Sequence, residues 1–117
     1  MLNQLYREIL DQVPHIRAYP LWNARRCEHG YVLEVAVTGF DREDLTVTLD
    51  RGVLKVEGAA SAPDQDYIVH QITHKNFART WSIPDGMTVE GVKLNRGVLA
   101  IHIVGTPVTT VKTFEVA

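Results

Sequence analysis

Cysteine is almost absent: Cys27 is the only one in 117 residues. One thiol can neither close an intrachain disulfide nor supply a thiolate zinc cluster, so it reads as a small apolar filler. No apolar run exceeds a few residues, which leaves no membrane-spanning segment, and Arg25-Arg26 leads into Cys27-Glu28-His29 instead of the apolar core of an export signal. The expected compartment is therefore the cytoplasm. A net charge of −2, with basic residues scattered singly apart from Arg25-Arg26, provides no electrostatic footprint for nucleic acid or anionic lipid. Catalytic furniture is equally scarce. Ser61 and Ser82 are the only serines, neither lies in a G-x-S-x-G elbow, and no glycine-rich phosphate loop exists. His70 and His74 would share a strand face, but no carboxylate or third ligand stands at a metal-binding spacing, so they read as surface or edge-strand histidines. Neither an enzyme nor a cofactor is expected.

What is present begins with a near-repeat. Val47-Thr48-Leu49-Asp50-Arg51-Gly52-Val53-Leu54-Lys55-Val56 recurs as Val92-Lys93-Leu94-Asn95-Arg96-Gly97-Val98-Leu99-Ala100-Ile101. Alternating β-branched and aliphatic residues flank Asp or Asn, Arg and Gly, so each unit reads as a β-hairpin whose glycine takes the positive φ of a three-residue turn. Two hairpins of one design, with strand-like sequence between them, predict two sheets packed face to face. Tyr31, Leu33, Val35 and Val37 alternate onto one face of a further strand, closed by the charged turn around Asp41-Arg42-Glu43-Asp44. A polar loop at 58–66 precedes expected strands at Tyr67-Ile68-Val69 and 77–83, and Pro84-Asp85-Gly86 makes the next turn. Ahead of all this, Leu2, Leu5, Tyr6, Ile9, Leu10 and Val13 fall on one side of a helix that Pro14 stops. That helix is too short to be stable alone, so its stripe must bury itself against something. Between helix and strands, residues 15–30 predict a linker and one short edge strand. The organisation is an arm at 1–17, a β-domain at 18–104 and an extension at 105–117.

Read in order, Val37-Thr38-Gly39-Phe40, Asp44-Leu45 into the first hairpin, Asn76-Phe77-Ala78-Arg79-Thr80-Trp81-Ser82-Ile83-Pro84 and Asn95-Arg96-Gly97-Val98-Leu99 resemble the α-crystallin domain of small heat-shock proteins. Asp66-Tyr67-Ile68-Val69-His70-Gln71-Ile72 is most similar to the bacterial inclusion-body-binding branch. The resemblance implies an immunoglobulin-like antiparallel β-sandwich. It also implies an ATP-independent holdase that binds unfolding proteins through an apolar arm, here Leu2, Leu5, Tyr6, Ile9, Leu10 and Val13, and passes them to ATP-dependent chaperones.

By the same resemblance, Phe114 and Val116 stand where the family carries two aliphatic residues that dock in a neighbouring subunit's groove. Phe114 departs from the usual Ile or Val. The positions matching the groove are Val47, Leu49, Val89 and Gly91. The dimer interface maps to Trp22, Tyr67, Ile68, Val69 and Arg79, with the segment around Tyr67 exchanged onto a partner's early edge strand, and larger homo-oligomers built from such dimers. Two alternatives stay open at this point: a monomeric co-chaperone module and a structural assembly module, each on the same sandwich.

Overall fold

The computed structural model describes residues 2–12, 19–61, 65–71 and 75–105, with the backbone alone for 2–5. After the helix α1 (Leu2–Leu10) come the strands β1 (Trp22–Cys27), β2 (Gly30–Ala36), β3 (Leu45–Asp50), β4 (Val53–Gly58), β5 (Phe77–Ser82), β6 (Met87–Asn95) and β7 (Val98–Gly105). They form two antiparallel sheets, β1-β2-β7-β6 and β3-β4-β5. The architecture is the expected β-sandwich. Each copy of the repeated hairpin contributes one edge strand and one inner strand to its own sheet.

Period-2 alternation explains the core. Tyr31, Leu33 and Val35 of β2, Leu54 and Val56 of β4, Trp81 of β5, and Leu99, Ile101 and Ile103 of β7 all point between the sheets and are buried. Each such side chain taken out of water contributes about 1.5–3 kcal/mol. Val32 breaks the rule. It is fully buried on the outer face of its sheet, where its cross-strand neighbours are Arg25 and His102 and the Arg25–Glu34 ion pair (3.3 Å) lies on the same face.

The hairpin turns are tighter than the expected three-residue form. Asp50 pairs with Val53 and Asn95 with Val98, leaving only Arg51-Gly52 and Arg96-Gly97 between strands. Both members of each pair have positive φ, 51° and 76° in the first and 53° and 76° in the second. That is the type I′ turn, whose twist matches the flanking strands, and each arginine takes the left-handed conformation so that the glycine can follow it. A second difference concerns Tyr67-Ile68-Val69, which form no strand within the chain. Tyr67 stacks on His70 at 4.4 Å, Ile68 is wholly exposed and Val69 is 71% exposed. A strand exists only where another backbone pairs with its N–H and C=O groups, and among the described residues no strand pairs with that segment.

The two long seams of the sandwich differ. Along one, β1 and β5 are bridged by the edge-to-face pair of Trp22 with Trp81 at 5.6 Å, and Tyr19, just ahead of β1, meets Phe77 of β5 in the same way at 5.9 Å. Along the other, β3 and β6 lie side by side as edges of their sheets. At one end sits α1, with Ile9 inside the core cluster at 4% exposure and Tyr6 half-buried against it.

Candidate functional site

The seam between β3 and β6 opens into a cavity of about 530 Å³, lined among others by Leu45 and Val47 from β3, Val92 and Leu94 from β6, and the cations Arg42 and Lys93. A bulge in β6 decides which residues face it. Val89 pairs with Ile103 and Gly91 with His102, so Glu90 is an extra residue, and the strand's parity changes there. Before the bulge Met87 and Val89 face inward; after it Val92 and Leu94 do. Of the expected groove residues, the structure therefore brings Val47 to the cavity together with Val92 and Leu94. Leu49, 39% exposed, lies further along β3; Val89 packs against the core; Gly91 is opposite His102 on the outer face, with open space around it. The clue to Val92 and Leu94 was in the sequence, because the apolar positions switch from odd to even across Glu90-Gly91.

The opposite seam holds the expected interface residues. Trp22 opens β1, the outermost strand of its sheet, which pairs with β2 alone among the described residues. Arg79, half-buried on β5, donates to the Pro20 carbonyl at 3.5 Å and lies 5.9 Å from the Trp81 ring. Tyr67, Ile68 and Val69 stand exposed in the connection between β4 and β5.

The helical stripe is divided. Ile9 is buried and Tyr6 half-buried against the chain's own sandwich, the Tyr6 hydroxyl donates to the Gly30 carbonyl at 3.1 Å, and the Arg26 guanidinium covers its ring at 4.7 Å; Leu10 is 68% exposed. Val13, Phe114, Val116 and the side chains of Leu2 and Leu5 lie outside the described residues. Beneath α1, burial raises the Tyr31 hydroxyl above its ordinary pKa, and the Glu8 carboxylate adds to the rise by disfavouring a second negative charge. Among the described residues no cluster of His, Cys, Asp or Glu could hold a metal ion, and no helix is long and apolar enough to cross a membrane.

The described residues thus form a two-sheet antiparallel sandwich with paired hairpins, a cleft between two edge strands and a docked N-terminal helix. The Hsp20/alpha crystallin family profile matches residues 23–116. This chain belongs to that family, which is one of ATP-independent chaperones and not of enzymes. Among its relatives, Small heat shock protein HspB of Bradyrhizobium diazoefficiens is 33% identical over 88 residues, covering 74% of this chain and 58% of that one. Small heat shock protein IbpA of Serratia proteamaculans is 30% identical over 88 residues, 73% of this chain and 64% of the relative. The chain thus spans less than two thirds of the length of either. Among solved structures, Small heat shock protein AgsA from Salmonella typhimurium superposes with a TM-score of 0.69 at 25% identity, covering 86% of this chain and 99% of that one. A small heat-shock protein from Xylella fastidiosa shares the fold at TM-score 0.68 and 21% identity, over 87% of this chain and 99% of that one.

Proposed function

We propose that the protein is an ATP-independent holdase that keeps unfolding proteins soluble and works as an assembly of its own copies in the cytoplasm, handing clients to ATP-dependent chaperones. The observation that carries this reading is a family sandwich whose four edge strands, β1, β6, β3 and β5, have no further strand beside them among the described residues. Bare edges are costly in a lone molecule and useful in one that pairs with others.

Two contacts complete the assembly. The exposed Tyr67-Ile68-Val69 segment crosses to a partner and pairs beside β1 near Trp22, covering two edges in one step, with Arg79 at the same interface. The extension supplies the second contact, with Phe114 and Val116 entering a neighbour's cleft at Val47 of β3 and Val92 and Leu94 of β6, in place of the Leu49, Val89 and Gly91 expected beside Val47. The cleft's composition supports this. Apolar Val47, Val92 and Leu94 beside the cations Arg42 and Lys93 suit an apolar-acidic-apolar triplet, which Phe114-Glu115-Val116 is. Client capture is assigned to the arm, through Leu2, Leu5, Tyr6, Ile9, Leu10 and Val13. The test is aggregation of a heat-labile enzyme followed by light scattering without nucleotide. The full chain keeps the scattering low; unchanged aggregation at several-fold molar excess would contradict the proposal.

A further inference from the structure

Gln12, just beyond α1, does what a neighbouring strand would do. Its Oε1 accepts from the Ser82 N–H at 2.8 Å and its Nε2 donates to the Ser82 carbonyl at 3.3 Å. Ser82 is the last residue of β5, an edge strand, and the next residue, Ile83, already gives its N–H to Gly52 in the β3–β4 turn at 2.8 Å. One side-chain amide thus occupies a main-chain donor and acceptor that β5 presents outward.

Three other contacts seat the helix: buried Ile9, the Tyr6 hydroxyl on Gly30, and Arg26 over the Tyr6 ring. A nine-residue helix does not persist alone in water, so α1 is helical because it is seated. One feature opposes seating. The Tyr31 hydroxyl is buried with no hydrogen-bond partner among the described residues, and the Glu8 carboxylate of α1 bears on it electrostatically. Among the described residues these contacts hold the seat, and the unpaired hydroxyl is a standing cost.

We propose that the end of the sandwich under α1 is a docking surface for a short apolar segment of an unfolding protein, and that α1 is its resident, displaceable occupant. The site offers an apolar recess that takes Ile9 and a strand-edge N–H and C=O pair that takes Gln12, and an unfolded backbone with an apolar side chain meets both requirements. Leu10, exposed on the seated helix, becomes available to the same client when the arm lifts. The surface is separate from the β3–β6 cleft, so an extension docked there leaves it open. The inference rests on the holdase reading and adds, beside the arm's own stripe, a second surface for the client and what keeps that surface covered at rest.

The experiment uses the full chain in a Cys27→Ser background, with labelled, reduced and carboxymethylated α-lactalbumin as a permanently unfolded probe. Gln12→Ala speeds exchange of the Ser82 amide hydrogen by about tenfold, because its acceptor is gone, and tightens probe binding several-fold, because the arm is looser. Gln12→Glu, which keeps the acceptor and loses the donor, falls between. Gln12→Cys with Ser82→Cys, joined through a short reducible spacer, weakens probe binding about fivefold or more, and reduction restores it. Equal binding by tethered and released protein, or a Ser82 amide indifferent to Gln12→Ala, overturns the proposal. If the tethered protein still protects clients, the seat alone is wrong; if no form binds the probe, the holdase reading falls with it.

Discussion

Gly97 shows how much one residue can decide. Its φ of 76° completes the β6–β7 turn, and its carbonyl accepts from Val37 N–H at 2.8 Å, tying that turn to β2. A Cβ there would sit in a backbone region that L-residues avoid and would press within 3.1 Å of Thr38 Oγ1. Gly97→Ala therefore destabilises the sandwich by about 1–2 kcal/mol, read as a lower urea midpoint at unchanged slope. Trp81 belongs to the same scale. It is 2% exposed, meets Trp22 edge to face and carries Arg79 over its ring, so Trp81→Ala costs about 3–5 kcal/mol and loosens the seam where the dimer is proposed to form. Core residues of this kind were legible in the sequence, because alternation alone puts Leu54, Val56 and Trp81 inside. The cleft residues were only half legible. Val47 follows from strand parity, whereas Val92 and Leu94 need the phase shift at Glu90-Gly91 to be recognised as a bulge instead of noise.

At the scale of elements, the repeated hairpin was visible because Asp/Asn-Arg-Gly is a strong local signal, and the error was one of turn length. Arginine has no special liking for positive φ, so nothing in the sequence marks it as the first of two left-handed residues; the register Asp50–Val53 does. The segment at Tyr67-Ile68-Val69 forms no strand within the chain for a different reason. Its residues have strand propensity, but propensity provides no partner, and within the chain there is none. The helix was legible as an amphipathic stripe needing cover, and the cover is the chain's own sandwich. Ile9→Ala removes the one buried side chain among the described residues of α1, weakening its docking by about 2 kcal/mol, and the far-ultraviolet helical signal falls while the β-signal stays. Equal loss of both signals would mean that the helix is integral to the sandwich. For the exchange segment, cysteines at Ile68 and Trp22 crosslink between chains; crosslinks confined within single chains would rule the exchange out.

For the whole molecule, the account turns on assembly. A chain of 13.2 kDa with two edges per sheet, an exposed apolar segment and an apolar-acidic-apolar extension has more adhesive surface than a monomer needs. In the proposed assembly each extension docks through Phe114 and Val116, two side chains worth about 1.5–3 kcal/mol apiece when buried before ordering costs, so one such contact is weak and reversible. Many acting together at high effective concentration hold a particle whose individual contacts still open. Charge is expected to tune the proposed contact: with the extension docked, Glu115→Lys puts a cation beside Arg42 and Lys93, and light scattering then reads a shift toward smaller species, larger at low salt. The most direct measurement is the mass of the full chain by size-exclusion with light scattering, taken beside the Phe114→Ala, Val116→Ala double variant. The account predicts a multi-subunit particle for the parent and a folded dimer for the variant. A parent that elutes as a 13.2 kDa monomer, or a variant of unchanged particle mass, would contradict it.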